Sequence, residues 1–183
     1  MPANIRNDEK FLRTLKPTLK KVVEYVLDKI LEVNKEEAIA KYVYAKGYPQ
    51  EYNRTGEFAD TWDKQVHTAG HLTHDVEGYT FYNWKSMSVG SDDPHNPHFG
   101  QHIGVGGEYK GQDSREYLAD IIYQGLAGDL FGKGYWTKPR NAYNALVKYV
   151  GKTRFNKWFI EGCQQNKLPI IASHSVPPSP VTT

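Results

Sequence analysis

Apolar residues return every three or four positions at Phe11, Leu15, Leu19, Val22, Val26, Ile30 and Val33, with Lys and Glu filling the gaps. That is the period of an amphipathic α-helix, whose apolar stripe must be laid against another element. Proline lacks an N–H and fits the first helical turn but not the interior, so Pro17 predicts a short helix before it and the main helix over residues 18–45. The run "AKGYP" predicts the stop, because Gly47 can take a left-handed cap and Pro49 cannot continue the ladder. "GYPQEYNRTGEF" then reads as a loop. Its Tyr48, Tyr52 and Phe58 either pack under the helix end or face another protein, and the residues alone leave both open.

The surface for this helix to cover comes next. Between Thr61 and Val89 the pattern changes to short segments rich in Thr, Val, Tyr, Phe and Trp, of which "DTWDKQVH" and "GYTFYNW" are the strongest, predicting two or three antiparallel strands. No period survives from Val89 to Gln112, a glycine-, proline- and histidine-rich stretch; structureless runs of that length are usually functional or mobile. "DSREYLADIIYQGLAG" predicts a second helix, with Asp113 and Ser114 as N-cap candidates and Gly128 as its end. "GDLFGKGYWTKPR" reads as an aromatic glycine turn, with Pro139 placed to start the next helix. Helical spacing returns at Leu146, Val147 and Val150 and again at Phe155, Trp158, Phe159 and Cys163, with a break at Gly151. "KLPIIAS" can add one last strand, and "SHSVPPSPVTT" has too little apolar content to order by itself. The expected fold class is α+β: a long N-terminal helix packed on a small antiparallel sheet, with further helices in the C-terminal half. A length of 183 residues suits one core, read as a single domain over 1–172 and a flexible tail over 173–183.

Composition removes several function classes. Hydrophobic residues at 39% and charged residues at 24% are globular values, and no apolar run approaches the ~20 residues of a membrane helix. The expectation is a soluble protein with no membrane partner. A formal charge of +2 without a dense Lys/Arg block disfavours sequence-specific DNA binding. One cysteine, Cys163, cannot form an internal disulfide, and "MPANIRNDEK" has no apolar signal core, so synthesis in a reducing cytoplasm is expected. Thirteen tyrosines and four tryptophans favour protein contacts, where aromatic side chains are enriched.

The histidines are the chemical feature that has to be explained. Six of seven fall in two groups, His67, His71 and His74, then His95, His98 and His102 within "DDPHNPHFGQHIGVGG". Neither group holds the glutamate of an H-E-x-x-H zinc site, and alternation along a strand would send some of the first group to opposite faces. His95, His98 and His102 could converge with Asp92 or Asp93 as a loop-borne metal site, which makes a metal-dependent enzyme the alternative function. The blander reading is a polar segment whose imidazoles hydrogen-bond or meet a neighbouring chain, in a contact sensitive to pH near about 6.5. Phosphate loops fail on sequence: "GVGGEYKG" has Tyr109 where G-x-G-x-x-G needs glycine, "GKT" at 151–153 has Leu146 where the P-loop glycine belongs, and "GDLFGKG" is one residue short. Cys163 lies on an apolar helical face, where a cysteine is usually a small hydrophobe, and no serine stands in G-x-S-x-G. No cofactor is expected.

The order of elements then carries a resemblance. "YVYAKGYPQEYNRTGEFADTW" after the first helix and "YLADIIYQGLAGDLFGKGYWTKPRNAYNAL" further on, taken with that helix, cover about half of the chain and resemble the tail-component family of tailed bacteriophages, the head-to-tail joining or tail completion proteins. The resemblance implies a small α+β protein without enzymatic activity. It implies a homo-oligomeric ring, a hexamer first of all, in the virion neck, made in the bacterial host cytoplasm. Its partners would be the head connector or stopper and the tail tube, with genome DNA passing through the lumen without specific binding. Subunit contacts of such a ring need buried aromatic anchors, for which Tyr48, Tyr52, Phe131, Tyr135 and Trp136 are the candidates, and an arm that crosses to a neighbour. Residues 90–112, with His95, His98 and His102, can reach ~40 Å if partly extended. The histidine-rich arm is the departure from the family pattern.

Overall fold

A computed structural model describes residues 3–45, 56–68, 76–87, 114–125 and 138–170, with the backbone alone for 3–12, 114 and 117. In chain order these form α1 (Ala3–Val33), a π-helical stretch (Asn34–Tyr44), a short α2 (Glu57–Asp60), β1 (Trp62–Thr68), β2 (Val76–Tyr82), a 3-10 turn (Trp84–Ser86), α3 (Ser114–Gln124) and α4 (Ala142–Gln165). The fold is α+β: a long N-terminal helix, a two-stranded antiparallel sheet and helices in the C-terminal half.

Two corrections fall on the first helix. α1 runs unbroken through Pro17. A proline in a helix interior costs about 3 kcal/mol, but Leu15 and Leu19 on either side of it are half-buried and continue the stripe of Val22 and Val26, so the packed face carries the helix across. Beyond Val33 the helix is π rather than α, and Ala45 N–H donates to Ala40 O, five residues back, at 2.9 Å. Buried positions here are Asn34, Ala38, Ile39 and Val43, at steps of four and five that the wider π turn brings to one side. Gly47 and Pro49, named as the stop, lie outside the described residues.

The chain divides into two compact units. The first comprises Met1–Glu32, Lys64–Thr80 and Lys148–Thr183, and the second Val33–Asp63 and Phe81–Val147. Within the first, α1 buries Val22, Val26 and Leu27. β2 can lie against this helix because Gly78 has no side chain: a Cβ there would stand 2.5 Å from Val23 Cγ1 and 2.8 Å from Leu27 Cδ1. β1 is fastened to the same helix by Lys64 Nζ, 2.5 Å from Asp28 Oδ1. α4 meets α1 at Gly162, where an added Cβ would lie 3.2 Å from both Tyr25 and Val22, and Tyr25 Oη donates to Glu161 Oε2 at 3.2 Å beside it. Asn83 N–H donates to Thr61 O at 2.7 Å, which sets the strand register and places Gln65 opposite Tyr79.

The remaining ends follow local chemistry. α3 stops at Gly125, left-handed at φ 77°, whose N–H reaches Ile121 O, rather than at the expected Gly128. α4 starts at Ala142 rather than at Pro139, with Asn141 O accepting from Ala145 N–H as the first helical bond. Gly151 breaks it as expected, at φ 44° and ψ 172°. Across that break Arg154 Nη1 donates to Tyr149 O at 2.6 Å, and its guanidinium lies 3.7 Å from the Tyr149 ring centroid. α4 closes on Lys167 at φ 56°, with Lys167 N–H to Gln164 O and Leu168 N–H to Cys163 O, a Schellman closure made without glycine. Residues 168–170 are not a strand, since Pro169 follows the cap directly; the rest of the expected last strand lies outside the described residues.

Candidate assembly surface

The core of the second unit is aromatic. Phe58 sits 6.2 Å from Trp62, 5.6 Å from Tyr82 and 6.1 Å from Tyr123, centroid to centroid, and Trp62 completes the cluster with Tyr82 at 5.7 Å and Tyr123 at 5.9 Å. Ile39, Val43, Ala59, Ile122 and Ala142 fill in around these rings. Phe58, open in the sequence between core and contact surface, is therefore core. Burial pushes the Tyr123 phenol well above the usual tyrosine range, with a smaller contribution from Tyr82. Asn34 Oδ1 and Trp62 Nε1 are buried in this unit without a hydrogen-bond partner.

All eight contact candidates, Tyr48, Tyr52, His95, His98, His102, Phe131, Tyr135 and Trp136, lie outside the described residues. The three segments that carry them, 46–55, 88–113 and 126–137, are rooted in this one unit, and each root is tied by hydrogen bonds from one side of the segment to the other. For the first, Tyr44 Oη donates to Gly56 O at 2.8 Å and accepts from Ala59 N–H at 3.1 Å. For the second, Tyr82 Oη donates to Arg115 O at 2.8 Å, and Arg115 Nη1 returns to Met87 O at 3.1 Å while its guanidinium lies over Trp84. For the third, Arg140 N–H donates to Ile122 O at 3.0 Å. The Arg140 side chain, 8% exposed, then reaches Val43 O at 2.7 Å and joins the third root to the first. A buried guanidinium is stable only when its donors are satisfied, so this bond holds the described ends of the two segments to the same core.

These anchors were missed by sequence reasoning. Tyr44, Tyr82, Arg115 and Arg140 bond to main-chain groups 12, 33, 28 and 97 positions away, and no local pattern encodes such a partner. The one available signal was "KPR" before a helix, an arginine at a position fixed by proline.

Other candidate groups are accounted for by packing. His67 lies on the outer face of β1, with Nε2 3.2 Å from Tyr79 Oη, while Tyr79 donates to Gln65 Oε1 at 2.6 Å; His71 and His74 lie outside the described residues. Cys163 is buried and its thiol is pushed up by that burial, the opposite of what a nucleophile requires. Among the described residues no three His, Cys, Asp or Glu side chains are grouped to hold a metal ion, and no helix is long and apolar enough to cross a membrane. The arrangement that stands out is mechanical: one aromatic core to which the described residues on both sides of all three segments are tied. Comparison of the chain with protein-family models, with curated proteins and with solved structures finds no match.

Proposed function

We propose that the chain is a structural virion protein of a tailed bacteriophage, a neck component that forms a ring joining the head connector to the tail and acts by assembly rather than catalysis. The observation that carries this reading is the common rooting of segments 46–55, 88–113 and 126–137. The residues named as ring contacts, Tyr48, Tyr52, Phe131, Tyr135, Trp136, His95, His98 and His102, all belong to segments whose ends are held by Tyr44, Tyr82, Arg115 and Arg140 in one unit. A ring subunit needs this combination of a fixed core and several segments able to meet neighbours, because a heterologous contact must present two different surfaces at a set angle. The ordered aromatic and glycine motifs that resemble the tail-component family point the same way.

Light scattering and negative-stain electron microscopy of the purified protein test the reading. The expected result is a closed ring, sixfold first of all, and deletion of the reading frame in a producing phage should leave filled heads and finished tails that fail to join. A protein that stays monomeric at high concentration and is absent from purified virions overturns it.

A further inference from the structure

The formal charge of +2 conceals a segregation. The first unit carries 13 basic and 8 acidic residues, a balance of +5, whereas the second carries 10 and 13, a balance of −3. Much of the excess sits in two helical runs of the first unit. Between Lys10 and Val23 there are five basic residues and no acidic one, and Lys148, Lys152, Arg154 and Lys157 follow one another on α4 with no acid before Glu161.

On α1 the basic residues share a face. At ~100° per residue, the positions of Arg6, Lys10, Arg13, Lys16, Lys20 and Lys21 fall within roughly 140° of arc. Leu15, Leu19, Val22 and Val26 occupy the opposite side. Arg13, Lys20 and Lys21 are exposed and Lys16 is half-buried. At its ends the same arc holds the positions of Glu9 and Asp28, the latter paired with Lys64 of β1, and between them Glu24 lies 3.8 Å from Lys20, both side chains well exposed. Such a surface pair is worth under about 1 kcal/mol and yields readily to a stronger anion.

We infer that this face of α1 binds the phosphate backbone of duplex DNA, without reading its sequence. From Arg13 to Lys21 the row spans ~12 Å of helix axis, over which a duplex presents one charge per ~1.7 Å, so several cations can be matched to phosphates at once. An anionic membrane fits less well. An interfacial helix must insert its apolar face, and here Val22 and Val26 are already buried and Leu15 and Leu19 half-buried in the protein. A protein partner would need aromatic or aliphatic anchors, and a single strand would need stacking rings; the described part of the basic face has neither. The inference does not depend on ring formation.

The test is the salt dependence of binding by the full chain to two unrelated fluorescent duplexes. Wild type should bind both alike. The variant R13Q/K20Q/K21Q should lose roughly 0.9 in the slope of log K against log salt for each phosphate contact removed, about 2.7 in all, equivalent to about 40-fold less tightening between roughly 200 and 50 mM salt. The control K35Q/K41Q/K138Q removes the same charge from the second unit and should leave the slope at the wild-type value. Circular dichroism verifies that both variants fold, which surface substitutions permit. Equal slopes for the two variants, binding that distinguishes the duplexes, or binding to vesicles of one part phosphatidylserine and three parts phosphatidylcholine in place of DNA overturns the inference.

Discussion

At the scale of single residues, the first unit rests on a missing side chain and the second on a buried ring. Gly78 has room for no Cβ, since the atoms it would meet are Val23 Cγ1 and Leu27 Cδ1, on the packed side of α1. Gly78→Ala should therefore destabilise by about 1–3 kcal/mol through overpacking. Val23→Ala in the same chain should recover part of the loss, because the two changes share one space and are not additive. Urea midpoints for the two single variants and the double variant check this; strict additivity would mean that Gly78 is not the contact that admits β2. Tyr123 predicts a pH effect. Its folded pKa is raised by burial above the unfolded value of about 10, so the unfolded chain releases the proton first. The contribution is constant below about pH 10 and falls above it, by up to about 1.4 kcal/mol per pH unit. Tyr123→Phe removes this alkaline loss, so the stability curves of variant and wild type should run parallel to about pH 10, above which the wild type should fall relative to the variant. Curves that stay parallel to pH 11 contradict the burial assigned to the phenol.

At the scale of elements, what could be read in advance was whatever a local period encodes. α1, the hairpin, α3 and the two halves of α4 follow from apolar spacing, and the break at Gly151 follows from glycine in a helical run. The π-helical stretch was not legible, because buried positions at steps of four and five fit a frayed α pattern as well as a π one. α2, four residues long, is too short to show a period. Pro17 misled for a different reason: a rule about one residue was outweighed by a packed face on both sides of it. The roots of the three segments were beyond local reading altogether, as the bond from Arg140 to Val43 O shows. Gly151 gives this scale its prediction. An added Cβ would meet no atom within 4 Å, so the cost of Gly151→Ala lies wholly in the backbone, at φ 44° and ψ 172°. That region is nearly closed to L residues and costs about 1–3 kcal/mol. Urea unfolding should show this loss with unchanged helical circular dichroism, and Arg154→Ala should add to it by releasing the Tyr149 carbonyl. A stable, more helical Gly151→Ala variant would instead mean that the helix straightens freely and that the break is not built in.

At the scale of the whole molecule, the chain crosses between its two units repeatedly, yet one continuous fragment holds the whole of the second. Residues 33–147 contain every part of the second unit, the cluster of Phe58, Trp62, Tyr82 and Tyr123, the anchors Tyr44, Arg115 and Arg140, and all eight proposed contact residues. They lack α1 through Glu32 and most of α4, and with them both basic runs. A core whose buried residues all lie within one fragment should retain its fold when the rest is removed, at reduced stability because less apolar surface is covered. The fragment 33–147 should accordingly keep the near-ultraviolet dichroism of its packed aromatic rings, assemble as the full chain does, and bind duplex DNA with none of the salt slope that α1 supplies. Light scattering and a salt titration on the one preparation separate the outcomes. A folded fragment that stays monomeric while the full chain assembles moves the ring contacts into the first unit, and undiminished DNA binding moves the phosphate site out of it. Loss of the near-ultraviolet signal would mean that the second core depends on the first, and that assembly and DNA binding must be tested in the intact chain.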